Sequence, residues 1–357
     1  MPATAGDPQP PDAVRQPSSA SAAKAGRSLR NGLISLALLA VLATGLLLAI
    51  PGLHGVARAV AHMQGSWLAL AVALEVLSCL GYVLAFLQVF ERAPVRFGAR
   101  VALSELAFGA AVSVGGAGSL AVGAWLLVER GAHPARVAER SAVLFLLTSA
   151  INVITLVLGG VGLFTGLLPG PQKPLLSIVP AGVGAGVFCF VLVLPRFAER
   201  LANLRTRGRV RAFLTGTAAA IHDTERLLFS PDWRILGAIG YLWFDIGVLI
   251  ACFAALGHVP PLAPIVLAYQ IGYLSNFVPI PGNIGVLDGS FVGMLVLYGV
   301  SATTATAATL VYHAIALWIP AMWGTIAFLI LRRAGREPLN PRAPRTERRQ
   351  AGRTRVD

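Results

Sequence analysis

The sequence predicts an all-α polytopic membrane protein of about eight membrane segments: six full transmembrane spans and two broken helical hairpins that are re-entrant or kinked. Three observations carry that prediction. Hydrophobic residues make up 56% of the chain, charged residues 13%, and the mean hydropathy is +0.72, a balance that belongs to lipid-embedded chains and not to soluble domains. Apolar runs long enough to cross a hydrocarbon core of about 30 Å recur along its length. The basic residues behind a net charge of +13 sit between those runs and not within them.

Residues 1–31, rich in Pro, Ala and Ser, cannot bury a core and read as a disordered cytoplasmic tail. The full spans follow at 32–50, 67–90, 141–164, 175–194, 235–256 and 305–331. Lys24, Arg27 and Arg30 precede the first span as they would a signal peptide. Its 19 apolar residues exceed a usual signal core, however, and no cleavage site follows. The membrane domain therefore reads as 32–333, closed by a second basic disordered tail at 334–357. Cys79, Cys189 and Cys252 all fall inside apolar segments, which makes them small buried residues and not a disulfide or metal set.

Loops rich in Lys and Arg stay on the cytoplasmic side. The tail to residue 31 holds four, 91–100 three, 128–140 three, 195–234 eight and 332–357 nine, whereas 51–66 holds only Arg58 and 165–174 only Lys173. Placing the first group inside puts 27 basic residues in the cytoplasm and two outside, with both termini cytoplasmic and the protein multi-pass in the cell membrane. That threading has a consequence for 101–127, whose two flanks are then on the same side. The segment must enter the membrane and return, and Gly115, Gly116 and Gly118 interrupt its middle where the bend is needed. The segment 264–297 behaves alike. It is broken by Pro279, Pro281, Gly282 and Gly285, and its flanks carry no Lys or Arg, which suits the outer side. Two hairpins dipping from opposite faces form an inverted repeat, and breaks in corresponding halves mark a transport site. The alternative is a pair of kinked, packed helices.

The block FVPIPGNIGVLDGSFVGMLVLYGVS at 277–301, with Tyr312 and His313 in the span after it, resembles the hallmark of a flippase-like membrane family related to the lysylphosphatidylglycerol synthase transmembrane domain. The block SVGGAGSLAVGAWLLVERG at 113–131, with Glu139 and Arg140 beyond it, resembles that family's first Gly-Gly segment. The resemblance covers 32–333 and implies a fold of about eight membrane segments that moves a lipid between leaflets. Three positions depart from the family pattern: Asn283 where a second Gly is common, Asp288 where Glu is common, and His313 where Arg is common. Only a protonated His313 would grip a phosphate as that Arg would. The chain ends 26 residues after its last span, without the soluble aminoacyl-transfer domain of the full synthases, so lysyl transfer is not expected.

Four carboxylates lie at membrane depth: Glu75, Glu105, Asp245 and Asp288. A charge there costs about 3 kcal/mol on insertion scales, so such residues face a partner or water and are functional candidates. Glu75 and Asp245, on full spans, equally suit a structural pairing or a protonated, hydrogen-bonded state. Asp288 is the foremost pathway candidate because it lies in the first turns of the second hairpin's second arm, where an electropositive helix start favours an anion. The same position suits a plain N-terminal helix stabiliser. Glu105 reads as close enough to the cytoplasmic interface to reach it. Asn276, Asn283, Gln270 and Tyr273 cluster around the second break. His313 and Asn152 occupy the spans after the two hairpins, and Arg140 opens one of them. Each of these polar residues also suits helix-to-helix adhesion. Residues 196–230 read as an amphipathic cytoplasmic connector whose basic face attracts anionic lipids. Gly182, Gly184 and Gly186 form a small-residue face suited to close helix packing.

No catalytic or metal-binding signature is present, no cofactor is implied, and the basic residues are not interleaved with aromatics as a nucleic-acid surface requires. The expected partners are membrane lipids, anionic ones first. The expected function is translocation of a phospholipid or an isoprenoid-type lipid. A membrane enzyme acting on a lipid carrier and a non-catalytic scaffold are the alternatives.

Overall fold

The computed structural model describes residues 54–111, 117–203, 208–230, 232–274 and 284–334, with Arg30, Asn31 and Ile34. Among the described residues there are eleven helices longer than one turn and no strand. They are α1 (His54–Ala61), α2 (Gly65–Val89), α3 (Val95–Ala111), α4 (Ala117–Glu129), α5 (Pro134–Phe164), α6 (Pro174–Asn203), α7 (Gly208–Phe229), α8 (Ile235–Ala255), α9 (Leu262–Leu274), α10 (Ile284–Leu297) and α11 (Ala302–Arg333).

Five of these, α2, α5, α6 through Ala198, α8 and α11, are long and apolar enough to cross a membrane, matching five of the six spans expected. The sixth, 32–50, lies outside the described residues except at Ile34. At 1.5 Å per residue the 21 residues of α8 reach about 32 Å, the thickness of a hydrocarbon core. Helix starts obey ordinary chemistry. Pro134 opens α5 at a position where its missing N–H is not needed, and Ser301 caps α11 by accepting the Thr304 N–H at 3.2 Å. Gly257 and Gly299, with φ of 79° and 95°, end α8 and α10 in the left-handed region that glycine tolerates best.

Two expectations need correction. The connector does not begin at 196, because α6 continues through Pro195 to Asn203, and the remainder forms the separate helix α7. Proline bends a helix without ending it when neighbouring helices hold the freed backbone, and α6 is held by α5 and α7. The stretch 51–66 is also not merely a loop. Its central part forms α1, which packs on α11, with Gly55 facing Thr303.

The most extensive helix-to-helix packing among the described residues is α2 with α8, followed by α3 with α11. Glycine sets both contacts. A Cβ on Gly81 would lie 2.6 Å from the Tyr241 amide nitrogen and 2.8 Å from the Gly237 carbonyl, so the two backbones touch. Gly324 of α11 faces the Leu103 carbonyl and Ala107 of α3 in the same way. The long helix α5 packs against α4, α6, α7 and α9, and also touches α8 and α2. Gly184 of α6 packs on Leu156 and Val157, while Gly182 and Gly186 meet no neighbour within 4 Å among the described residues.

Candidate functional site

The α2–α8 contact brings together polar groups far apart in sequence. Helical spacing puts Glu75, Cys79 and Tyr82 on one face of α2. Glu75 lies ten residues into the 25-residue α2, and Asp245 ten residues into the 21-residue α8, so each sits near the middle of its helix. Their carboxyl groups lie against one another. Asp245 Oδ2 accepts hydrogen bonds from the Tyr269 hydroxyl of α9 and, at 2.9 Å, from the Tyr312 hydroxyl of α11. The His313 ring is 5.0 Å from that of Tyr312 and 5.8 Å from that of Phe291 on α10. Groups from α2, α9 and α11 thus converge on one carboxylate of α8.

Glu75 is only 5% exposed. The Cys79 thiol lies 3.8 Å from its Oε1, and its Oε2 has no hydrogen-bond partner among the described residues. A second carboxyl stands further along the same face. Glu105 of α3, 1% exposed, accepts from the Tyr82 hydroxyl at 2.7 Å. It is therefore buried among the helices, ten residues from the start of α3 at Val95. Gly123 of α4 faces that carboxyl so closely that a Cβ there would overlap it. Ser78 fixes the register of α2 on α8 by donating to the Tyr241 carbonyl at 2.8 Å.

Other sequence candidates stand elsewhere. Arg140 pairs with Asp223 of α7 at 3.5 Å and joins α5 to α7, away from the groups around Asp245. Asn152 donates to the Thr148 carbonyl of its own helix at 2.9 Å. Gln270, next to Tyr269, is buried with its amide nitrogen unpartnered among the described residues. Gly115, Gly116, Asn276, Pro279, Pro281, Gly282 and Asn283 lie outside the described residues. Gly118, Gly285, Asp288 and Tyr273 fall within α4, α10, α10 and α9, with the surroundings of their side chains outside the description. Sequence reasoning passed over Tyr82 and Tyr269 as site residues, although the seven-residue spacing of Glu75 and Tyr82 was a visible signal. Among the described residues no three His, Cys, Asp or Glu converge as metal ligands.

Contacts at the helix ends order the rest of the bundle. The Arg130 guanidinium, just past α4, lies 5.1 Å from the centre of the Phe97 ring at the start of α3. A Cβ on Gly170, in the loop after α5, would be 3.1 Å from the Pro264 ring at the start of α9. Lys173 of the same loop donates to the Leu297 carbonyl at the end of α10 at 3.3 Å.

A family model described as lysylphosphatidylglycerol synthase TM region matches residues 32–324. A UPF0104 membrane protein of Methanothermobacter thermautotrophicus is 26% identical over 310 residues, covering 77% of this chain and 86% of that protein. The match takes in every residue of the cluster around Asp245, and the chain belongs to the lysylphosphatidylglycerol synthase transmembrane family as a multi-pass membrane protein.

Proposed function

We propose that this protein moves a phospholipid or an isoprenoid-type lipid between the leaflets of the cell membrane and does not change it chemically. The cluster around Asp245 carries the reading. Two carboxyls midway along apolar spanning helices meet two tyrosine hydroxyls, with an imidazole ring beside one of them, and ionisable groups at such depth mark pathways for polar cargo. The cluster adjoins α9, and Pro279, Pro281 and Gly282 follow that helix in the sequence.

The helix-end contacts support two re-entrant hairpins. Phe97 and Arg130 bring the start of α3 to the end of α4, as a chain that enters and returns requires. The arms are about 25 Å and 20 Å long, short of the core thickness. Pro264 and Leu297 both reach the loop after α5, which likewise joins the start of α9 to the end of α10. Arg130 stands near one end of the 31-residue α5 and that loop at the other, about 46 Å away. Hairpins opening at opposite ends of one spanning helix fit an inverted repeat. The 27 basic residues then face the cytoplasm with both termini.

The purified chain in vesicles holding a fluorescent phospholipid or polyprenyl phosphate is expected to expose inner-leaflet label to an impermeant quencher. A protected fraction unchanged by the protein for both lipids overturns the reading, and a chemically altered lipid by mass spectrometry replaces it with an enzyme. For the threading, single cysteines are placed by Glu91→Cys, His133→Cys, Gln172→Cys and Ser301→Cys in a Cys189→Ser background. The first two are expected to react with impermeant maleimide from the cytoplasmic face and the last two from outside. Reaction of all four from one face defeats the inverted arrangement.

A further inference from the structure

We infer that Glu75 and Asp245 form a proton-binding site that couples lipid movement to a proton gradient. This deepens the lipid-translocating reading and rests on it. The pair is asymmetric in its partners. Asp245 accepts from two tyrosine hydroxyls and is set up as the ionised member. Glu75 has no such donor beyond the Cys79 thiol and keeps a buried oxygen unpartnered among the described residues. Two ionised carboxylates in contact repel strongly in surroundings of low dielectric, and one proton between them turns repulsion into a hydrogen bond. The proton therefore sits on Glu75 and points to Asp245.

The titratable groups facing the pair are Cys79 on α2, Tyr269 on α9, and Tyr312 and His313 on α11. Glu105 on α3 is reached through Tyr82. Among the described residues no Lys or Arg bears on Glu75 or Asp245, so a proton is the balancing charge at hand. Release breaks the Glu75 O–H bond, sends the proton to water or the next station, and leaves the electron pair on the Glu75 carboxylate. Nothing else is transferred. The Tyr82–Glu105 pair, about 10 Å along α2 from Glu75, is that station in one direction, since a phenol both donates and accepts. Two facing charges then favour parting of α2 from α8 or entry of a polar headgroup, and reprotonation closes the contact.

The test uses the full chain in vesicles with a fluorescent phospholipid, an entrapped pH dye and a pH step of about one unit. With one proton per lipid, the leaflet ratio is expected to shift about tenfold, and lipid addition to change the lumenal pH. Glu75→Gln is expected to lose both gradient responses and Glu75→Asp to retain them, each checked for an unchanged elution profile and thermal midpoint. Should Glu75→Gln fail to fold, the wild-type response and its retention by Glu75→Asp decide alone. Wild-type translocation that ignores the pH step overturns proton coupling and leaves lipid translocation standing. Acceleration by a sodium gradient at constant pH overturns it too, by assigning the site to another cation. No translocation of any lipid defeats both readings.

Discussion

Asp245→Asn is expected to slow lipid translocation about a hundredfold. The carboxylate accepts from Tyr269 and Tyr312, and hydrogen bonds to a charged acceptor are worth about 1.5–3 kcal/mol against about 0.5–1.5 for neutral pairs. Losing the charge at both bonds removes about 2–3 kcal/mol of preference for the assembled cluster, on the order of a hundredfold in population. Both hydroxyls donate to the same oxygen, Oδ2, so the amide oxygen can accept both bonds in its place, but without the charge that strengthens them. Initial rates in vesicles give the measurement, with wild-type and variant matched for thermal midpoint. A variant that translocates at the wild-type rate would reduce the cluster to an internal brace between α8, α9 and α11.

Much of this arrangement was legible in the chain. Apolar length located α2, α5, α6, α8 and α11, because lipid demands internal hydrogen bonding and so fixes both the element and its length. Glu75, Glu105 and Asp245 stood out as carboxylates where they are costly. What the residues did not disclose was their pairing. Glu75 and Asp245 are brought together by a backbone contact at Gly81 and Gly237, and a glycine in an apolar helix looks the same whether it faces lipid, a neighbour or nothing. Gly182 shows the difficulty, since it has the expected spacing and meets no neighbour within 4 Å among the described residues. Tyr82 and Tyr269 were hidden for a related reason: an aromatic in an apolar helix reads as packing until the position of its hydroxyl is known. The end of α6 was misplaced because Pro195 carries a local signal to stop, while the packing of α7 that overrides it is tertiary.

Gly81→Leu is expected to abolish translocation and to lower the unfolding midpoint, since α2 and α8 meet through backbone atoms at that point. The first added carbon alone would sit 2.6 Å from the Tyr241 nitrogen and 2.8 Å from the Gly237 oxygen. No flexible side chain can yield there, so the helices must separate. Gly237 is equally confined, with a Cβ falling 2.8 Å from the Ala85 nitrogen, so a shift along the axis meets a second collision. Overpacking of this kind costs about 1–3 kcal/mol for small additions, and leucine adds three more carbons. Separation also pulls Ser78 from the Tyr241 carbonyl and Glu75 from Asp245, six residues or about 9 Å along α2. Function is therefore expected to fail even where detergent-solubilised protein stays folded. Gly182→Ala supplies the contrast, because its Cβ meets no atom within 4 Å among the described residues and alanine favours the helix by up to about 1 kcal/mol. Thermal melts of both variants decide the matter: equal midpoints would show that the α2–α8 backbone contact does not hold the site together.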